Sequence, residues 1–168
     1  CYTGLPIWAI RTVHKEDFRH IQNGKWEVLI FNFEPYFKII KIDFNIFDPH
    51  GQFFSRRALE DDLTHRLIEP LTVLDYGLVV LRVAEAIAVG KSIANGMNYD
   101  SEETYLKFAF KWTKLKGRRL SSWSNPSRFG YDNKCSDQNE VETSVSVPLD
   151  TPDSNIAQFV DEAVKPLF

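Results

Sequence analysis

The sequence predicts an α+β fold: a mainly antiparallel sheet, a buried central helix at about 75–95, and a C-terminal helix packed on it. Apolar and polar residues alternate in 104–113, which is the period of a strand with one face on a core. Residues 76–90 contain only two charged side chains, so a helix there must be mostly buried. Near the C-terminus the apolar residues return at helical spacing, which predicts the last helix.

The main elements follow the order β-β-α-α-β-β-α, with helices on one or both faces of the sheet. Aromatic and β-branched residues or strict alternation predict strands. The predicted strands are 25–33, 36–47, 52–54, 104–113 and 141–147. The predicted helices are 14–22, which Asn23-Gly24 would end, 55–68 with Ser55 as N-cap, 75–95 with Asp75 at its start, and one that begins at 151–154.

Size and composition favour one folded α+β domain over residues 1–168. With 43% hydrophobic and 14% aromatic residues, the chain is not of the disordered class. Its two cysteines, Cys1 and Cys135, do not make a disulfide framework, which favours a reduced, cytoplasmic protein. No apolar run reaches about 18 residues, so no membrane span is expected. Because the first residue is not Met, we expect the C-terminal part of a longer protein.

Positive charge is concentrated in residues 104–131, which contain no Asp or Glu although the whole chain has net charge −3. The stretch runs from a predicted strand into a turn at Gly117, which tolerates positive φ. Its basic residues are Lys107, Lys111, Lys114, Lys116, Arg118, Arg119 and Arg128. Such asymmetry indicates an anionic partner, with 107–119 as the contact region. A solvated sheet face whose lysines pair with nearby acids is the alternative.

Two side chains that follow the basic residues extend this candidate site. The Ser122 hydroxyl can donate to a phosphate or cap a turn, and Trp123 can stack on a base. Trp112 shares a strand face with Phe110, so we expect it to pack in the core. The predicted nucleic-acid or nucleotide ligands are therefore Lys114, Lys116, Arg118, Arg119, Ser122 and Trp123.

Other charged clusters suggest weaker candidates. Glu60 and Asp61 follow two arginines and can act as acid-base groups, or form i, i+4 pairs on a solvated helix face. Arg82 and Glu85 lie at i, i+3 in the central helix and should pair. The Gly90-Lys91-Ser92 sequence lacks the upstream glycine of a phosphate-binding loop, so we take it as coincidence. The four histidines show no metal-ligand spacing, and the sequence indicates no particular cofactor.

Four stretches together resemble a known family: RRALEDDL (56–63), LRVAEAIAVG (81–90), FKWTKLKGRRLSSWSNP (110–126) and SVSVPLDTP (144–152). They are similar to the C-terminal half of bacterial AlbA/Schlafen-like proteins that are labelled DNA-binding or ATP-binding. The resemblance implies an accessory domain of a cytoplasmic bacterial regulator or defence protein. The AlbA-like domain would lie upstream, so its label does not transfer to residues here. The motif residues that become candidates are Arg57, Glu60, Asp61, Arg82, Glu85, Lys116, Arg119, Ser122 and Trp123.

Three functions are therefore open. The first is a non-enzymatic recognition domain that binds an anionic partner, either nucleic acid or a nucleotide, through the basic stretch. The second is a structural or oligomerisation domain that buries strand aromatics such as Trp26, Phe31 and Phe33 against another subunit. The third is an enzyme that uses Glu60 and Asp61 with Arg57 and Arg82.

Overall fold

A computed structural model describes residues 19–33, 40–63, 68–125, 127 and 134–168. Its strands are β1 Arg19–Gln22, β2 Lys25–Phe33, β3 Ile40–Asp48, β4 Gln52–Arg57, β5 Val73–Asp75, β6 Tyr105–Thr113, β7 Arg119–Ser121 and β8 Glu140–Pro148. Its helices are α1 Glu60–Leu63, α2 Tyr76–Gly96 and α3 Ile156–Val164, with single 3-10 turns at Asp153–Asn155 and Lys165–Leu167. Antiparallel sheets combined with helices confirm the predicted α+β class.

Residue contacts divide the chain into two units, one that ends at Pro70 and one that begins at Leu71. The N-terminal unit contains a four-stranded antiparallel sheet in the order β1-β2-β3-β4. The C-terminal unit contains the antiparallel pair β6–β8, the short parallel pair β5–β7, and the helices α2 and α3. That one domain covers residues 1–168 stays a prediction.

Tight turns join β1 to β2 and β3 to β4 in the N-terminal sheet. Asn23 and Gly24 both have positive φ, 52° and 76°, and connect β1 to β2 as a two-residue hairpin. The prediction that this pair ends a helix was wrong for residues 19–22, which form β1, whereas residues 14–18 lie outside the described residues. Asn-Gly signals a hairpin more strongly than a helix end, because both residues tolerate positive φ.

Strand β4 replaces the first three residues of the helix predicted at 55–68. The strand continues to Arg57, so Ser55 lies within a strand and is not an N-cap. The backbone N–H of Ala58 then donates to the carbonyl of Ile42 at 3.1 Å, which extends the ladder by one residue. Only Glu60–Leu63 is helical, and residues 64–67 lie outside the described residues. Pairing with β3 outweighed the local helical pattern.

The two faces of the N-terminal sheet differ in burial. Register places Val28, Asn45 and Ser55 in one row of side chains and Asp43 and Arg57 in the next, so these residues share a face. Val28, Asp43 and Asn45 are buried on this face, which we call the covered face, whereas Trp26 and Phe53 in its outer row are exposed. The opposite face carries Lys25, Glu27, Leu29, Ile42, Phe44, Ile46, Asp48, Gln52, Phe54 and Arg56. Asp48 is buried on this face, whereas none of its five apolar side chains is buried.

The central helix α2 follows directly from β5 and confirms the helix predicted at 75–95. Asp75 is its N-cap, as its position in the sequence predicted. Val79, Val83 and Ile87 form a buried stripe at spacing i, i+4, i+8. The helix is not covered all round, because Val80 and Leu81 are exposed on its other side.

The C-terminal core lies between the β6–β8 sheet and the two long helices. Val141, Val145 and Val147 of β8 are buried, and α3 packs against both β8 and α2. On β6 the same face carries a stacked aromatic series in which Phe110 lies 6.3 Å from Phe108 and 5.9 Å from Trp112 between ring centroids. Trp112 therefore packs with Phe110, as predicted.

The helix position of Gly90-Lys91-Ser92 explains these residues structurally. A Cβ at Gly90 would lie 2.6 Å from Cζ of Phe108, so only glycine allows this close approach of α2 to β6. Lys91 is buried, and its ammonium donates to the carbonyl of Thr151 and to Asp153 Oδ1 at 3.0 Å. Gly90 and Lys91 thus hold α2 against its neighbours. All three residues lie inside the helix, with helical residues before and after them.

Candidate nucleic-acid interface

The basic residues lie on a turn between β6 and β7, residues 114–119, which we call the basic turn. Lys114 and Gly117 have positive φ, 59° and 82°, and the N–H of Arg118 donates to the carbonyl of Leu115 at 3.0 Å. The side chain of Leu115 is only 1% exposed, so it anchors the turn in the core. The predicted bend at Gly117 is confirmed, and its left-handed backbone is the reason for glycine there.

Arg118 is a structural residue of the basic turn, contrary to its predicted role as a ligand contact. Its side chain is 2% exposed. Nε donates to the carbonyl of Lys114 at 2.7 Å, and Nη1 donates to the carbonyl of Val73 at 2.8 Å. A buried guanidinium needs such acceptors, since burial without them is costly. Arg118 thus ties the turn to β5 from below.

A second segment, residues 134–139, holds the basic turn from the side. The N–H of Gly117 donates to Ser136 O at 2.8 Å, and the N–H of Ser136 donates back to Arg118 O at 2.9 Å. The N–H of Leu115 donates to Asn139 O at 3.0 Å. The same antiparallel run brings Lys134 beside Leu120, so this lysine joins the basic residues. The polar sequence of residues 134–139 did not predict that this segment lies beside the basic turn.

Three cations of the basic turn are exposed. Lys114, Lys116 and Arg119 form no ion pair with any residue that the structure describes. Lys111, on β6, differs because its ammonium lies 2.5 Å from Glu142 Oε1 and 3.0 Å from Glu140 Oε2. Hydrogen bonds to Glu142, and to a smaller extent to Glu140, raise the pKa of Lys111 above its usual value. Positive charge therefore concentrates at the basic turn. Lys111 on β6 instead fits the alternative in which lysines of a solvated sheet face pair with nearby acids.

Ser122 and Trp123 lie at the other end of β7 from Lys114 and Lys116, next to the start of α2. Both side chains are half-buried. The buried carboxylate of Asp75 accepts from Leu78 N at 3.1 Å and from Ser124 N at 2.8 Å, and so joins this loop to the helix. The six predicted ligands therefore form two groups at opposite ends of β7. Lys114, Lys116 and Arg119 form the first group, with the buried Arg118 beneath them, and Ser122 and Trp123 form the second.

Three of the remaining charged candidates, Arg57, Arg82 and Glu85, form ion pairs within their own units. Arg57, in the N-terminal unit, donates from Nε to Asp43 Oδ1 at 2.9 Å and from Nη2 to Asp43 Oδ2 at 3.2 Å. Arg57 lies in the strand β4 and not in a helix, so the helical i, i+4 spacing predicted for its carboxylate partner does not apply. In the C-terminal unit the predicted pair is confirmed, with Arg82 Nη1 2.6 Å from Glu85 Oε2.

Glu60 and Asp61 begin the short helix α1. Asp61 is buried and Glu60 is half-buried, so neither points into bulk solvent. The alternative that these carboxylates lie on a solvated helix face was therefore wrong for Asp61. Within the described ranges, no three His, Cys, Asp or Glu side chains are grouped in a way that would hold a metal ion.

A compact ionic cluster at the β3–β4 turn was not predicted. Asp48 Oδ1 accepts from His50 N at 2.9 Å and contacts His50 Nδ1 at 2.8 Å, while Asp48 Oδ2 lies 3.0 Å from Lys25 Nζ. The backbone hydrogen bond from His50, followed by the contact with Lys25, lowers the pKa of Asp48 to about 2. The sequence signal for this cluster was Asp48 two residues before His50 in a turn. An Asp side chain commonly accepts a hydrogen bond from the backbone N–H two positions further on.

Comparisons with protein-family models, with curated proteins and with solved structures found no match to this chain. Among the described residues, no helix has both the length and the apolar character needed to cross a bilayer.

Proposed function

We propose that this chain is a non-enzymatic recognition domain that binds an anionic partner, nucleic acid or a nucleotide, through the basic turn. The observation that carries the proposal is the presence of three exposed cations, Lys114, Lys116 and Arg119, without carboxylate partners among the described residues. Phosphate groups match this arrangement, because Lys and Arg bind them with charge-assisted hydrogen bonds.

The rigidity of the turn supports the same proposal. Arg118 connects the backbone of the turn to β5, and residues 134–139 hold it from the side. A backbone that is already ordered loses little conformational entropy when its side chains bind a ligand. The buried arginine thus contributes by positioning its neighbours, and the ligand would contact Lys114, Lys116 and Arg119.

The biological setting is also a proposal. The family resemblance suggests an accessory domain of a cytoplasmic bacterial regulator or defence protein of the AlbA/Schlafen-like type. In such a protein, an upstream domain would supply any specific activity. The basic turn would then add affinity for the phosphate backbone.

Fluorescence anisotropy with labelled single- and double-stranded DNA and RNA, at two salt concentrations, tests the proposal. Three phosphate contacts predict that log K falls with log salt with a slope of about −2 to −3. The triple substitution Lys114→Gln, Lys116→Gln, Arg119→Gln should remove most of the binding and flatten this slope.

Lys165→Gln is the control, because Lys165 is exposed in the same unit but lies in the C-terminal 3-10 turn. An equal loss of affinity in the control would contradict a specific role of the basic turn. Absence of binding to every probe at low salt would retire nucleic acid as the partner.

A further inference from the structure

The covered face of the N-terminal sheet contains a buried amide without a hydrogen-bond partner. Asn45 lies near the middle of β3 and is only 6% exposed. Its side chain forms no hydrogen bond with any residue that the structure describes. Burial of an amide without hydrogen bonds is costly, so folded proteins rarely keep one that has no role. The Asn45 side chain is therefore a candidate contact for a ligand.

The amide of Asn45 is open to solvent on one side. Among the described residues, the only completely buried side-chain oxygen or nitrogen without a partner is Oγ1 of Thr143, so the amide atoms of Asn45 are not sealed in. Across the strands, Asn45 has the buried Val28 of β2 on one side and the exposed Ser55 of β4 on the other. The opening is therefore on the side of β4, which is the edge strand of the sheet.

An aromatic ring and an ion pair border this opening, each one row of side chains away from Asn45. On one side lies Phe53 of β4, which is 38% exposed. On the other side lies the ion pair of Asp43 with Arg57, whose opposite charges cancel. The site thus combines a flat apolar surface with an amide donor and acceptor side by side, and its ion pair contributes no net charge.

We propose that Asn45, Ser55 and Phe53 form a binding site for a nucleobase at the β4 edge of the covered face. An amide presents a donor beside an acceptor, as does one edge of each nucleobase, so the two can form paired hydrogen bonds. The ring of Phe53 offers a face on which the base stacks. Because Asp43 lies one row away, an uncharged base suits the site better than a phosphate.

The base site belongs to the N-terminal unit, whereas the basic turn belongs to the C-terminal unit. The two proposals therefore stand or fall separately. A nucleoside without phosphate releases no counterions from the protein or from itself, so its affinity should change little with salt. Binding at the basic turn should instead weaken steeply as salt rises.

Isothermal titration calorimetry of the whole 168-residue chain with adenosine, cytidine, guanosine and uridine, at two salt concentrations, tests the base site. At least one nucleoside should bind, and ribose alone should not. The triple substitution Lys114→Gln, Lys116→Gln, Arg119→Gln should leave this binding unchanged. Absence of binding to all four nucleosides overturns the proposal. Loss of nucleoside binding in the triple variant also overturns it, because the base would then bind at the basic turn.

Asn45→Leu separates a binding role from a structural one, because leucine has nearly the same size and lacks the amide. Nucleoside affinity should fall about tenfold or more with the loss of the paired hydrogen bonds. The urea midpoint should stay the same or rise, since apolar atoms replace a buried amide that has no partner. An unchanged affinity, or a lower midpoint, contradicts the proposal.

Phe53→Ala tests the stacking surface on the exposed edge strand and should weaken binding about fivefold or more. Trp26→Ala is the matched control, because Trp26 is an exposed aromatic residue of the same row. It lies on β2, on the side of Asn45 that the buried Val28 closes, so its loss should leave the affinity unchanged. A larger effect of Trp26→Ala than of Phe53→Ala would overturn the placement of the base at the β4 edge.

Discussion

The four-stranded sheet of the N-terminal unit and the β6–β8 sheet of the C-terminal unit share an alternating pattern of apolar and polar residues but bury different residue types. Both have strands in which apolar and polar residues alternate. In β8 the valines are inside and the glutamates and serines are exposed, whereas in β3 Asp43 and Asn45 are inside and Ile42 is exposed. Alternation therefore predicts that a strand has two unlike faces, but it does not determine which face is covered.

The largest expected effect comes from the polar interior of the N-terminal sheet. Asp43→Ala removes the carboxylate that accepts two hydrogen bonds from Arg57 and leaves a largely buried charge without this partner. We expect a loss of about 3 kcal/mol in the free energy of unfolding, measured in urea. Asp150→Ala is the control, because Asp150 is exposed and should change stability little. Equal stabilities for the two variants would show that the polar face is not a stabilising interior.

The close contact between α2 and β6 gives the next effect, on the apolar interior of the C-terminal unit. Gly90→Ala places a Cβ 2.6 Å from the ring of Phe108, which is itself stacked on Phe110. Overpacking of this kind should cost about 2 kcal/mol in thermal or urea unfolding.

Gly96→Ala is a matched control in the same helix, where the new Cβ meets nothing within 4 Å. Because alanine favours the helix over glycine, this control should leave stability unchanged or raise it slightly. If Gly90→Ala behaved in the same way, Phe108 would not lie against the helix.

The smallest effects distinguish the two sheets by pH. The pKa of Asp48 in the N-terminal sheet falls from 3.8 to about 2 on folding, so its contribution is present above pH 3.8 and is lost as pH falls towards 2. The pKa of Lys111 in the β6–β8 sheet is raised above 10.5, so its contribution is present below pH 10.5 and is lost as pH rises through the folded value.

Unfolding midpoints measured across pH verify both directions. Asp48→Asn should flatten the acid limb only, and Lys111→Gln should flatten the alkaline limb only. An acid limb that is unchanged in Asp48→Asn would show that the contacts of Asp48 with His50 and Lys25 contribute no stability.

Local features of the fold were predictable from local sequence. Alternation in 104–113 predicted β6, and the Gly117 turn and the start of α2 at Asp75 were also predicted. The helix predicted at 55–68 was wrong at its start because β4 pairs with β3, and the helical spacing of leucines carries no information about such pairing. The candidate site was predictable as a basic turn, but its division into exposed cations and a buried Arg118 was not.

The sequence by itself determined the α+β class, the strand alternation, the long apolar helix and the local excess of positive charge, because these depend on neighbours along the chain. Tertiary structure decided which sheet face is covered, that Arg118 is buried against Val73 45 residues away, and that Lys111 pairs with Glu142 31 residues away. The physical reason is that burial and ion pairing depend on which distant segments meet. Residue type and spacing do not specify those meetings, so only the assembled fold could separate positioning residues from exposed ones.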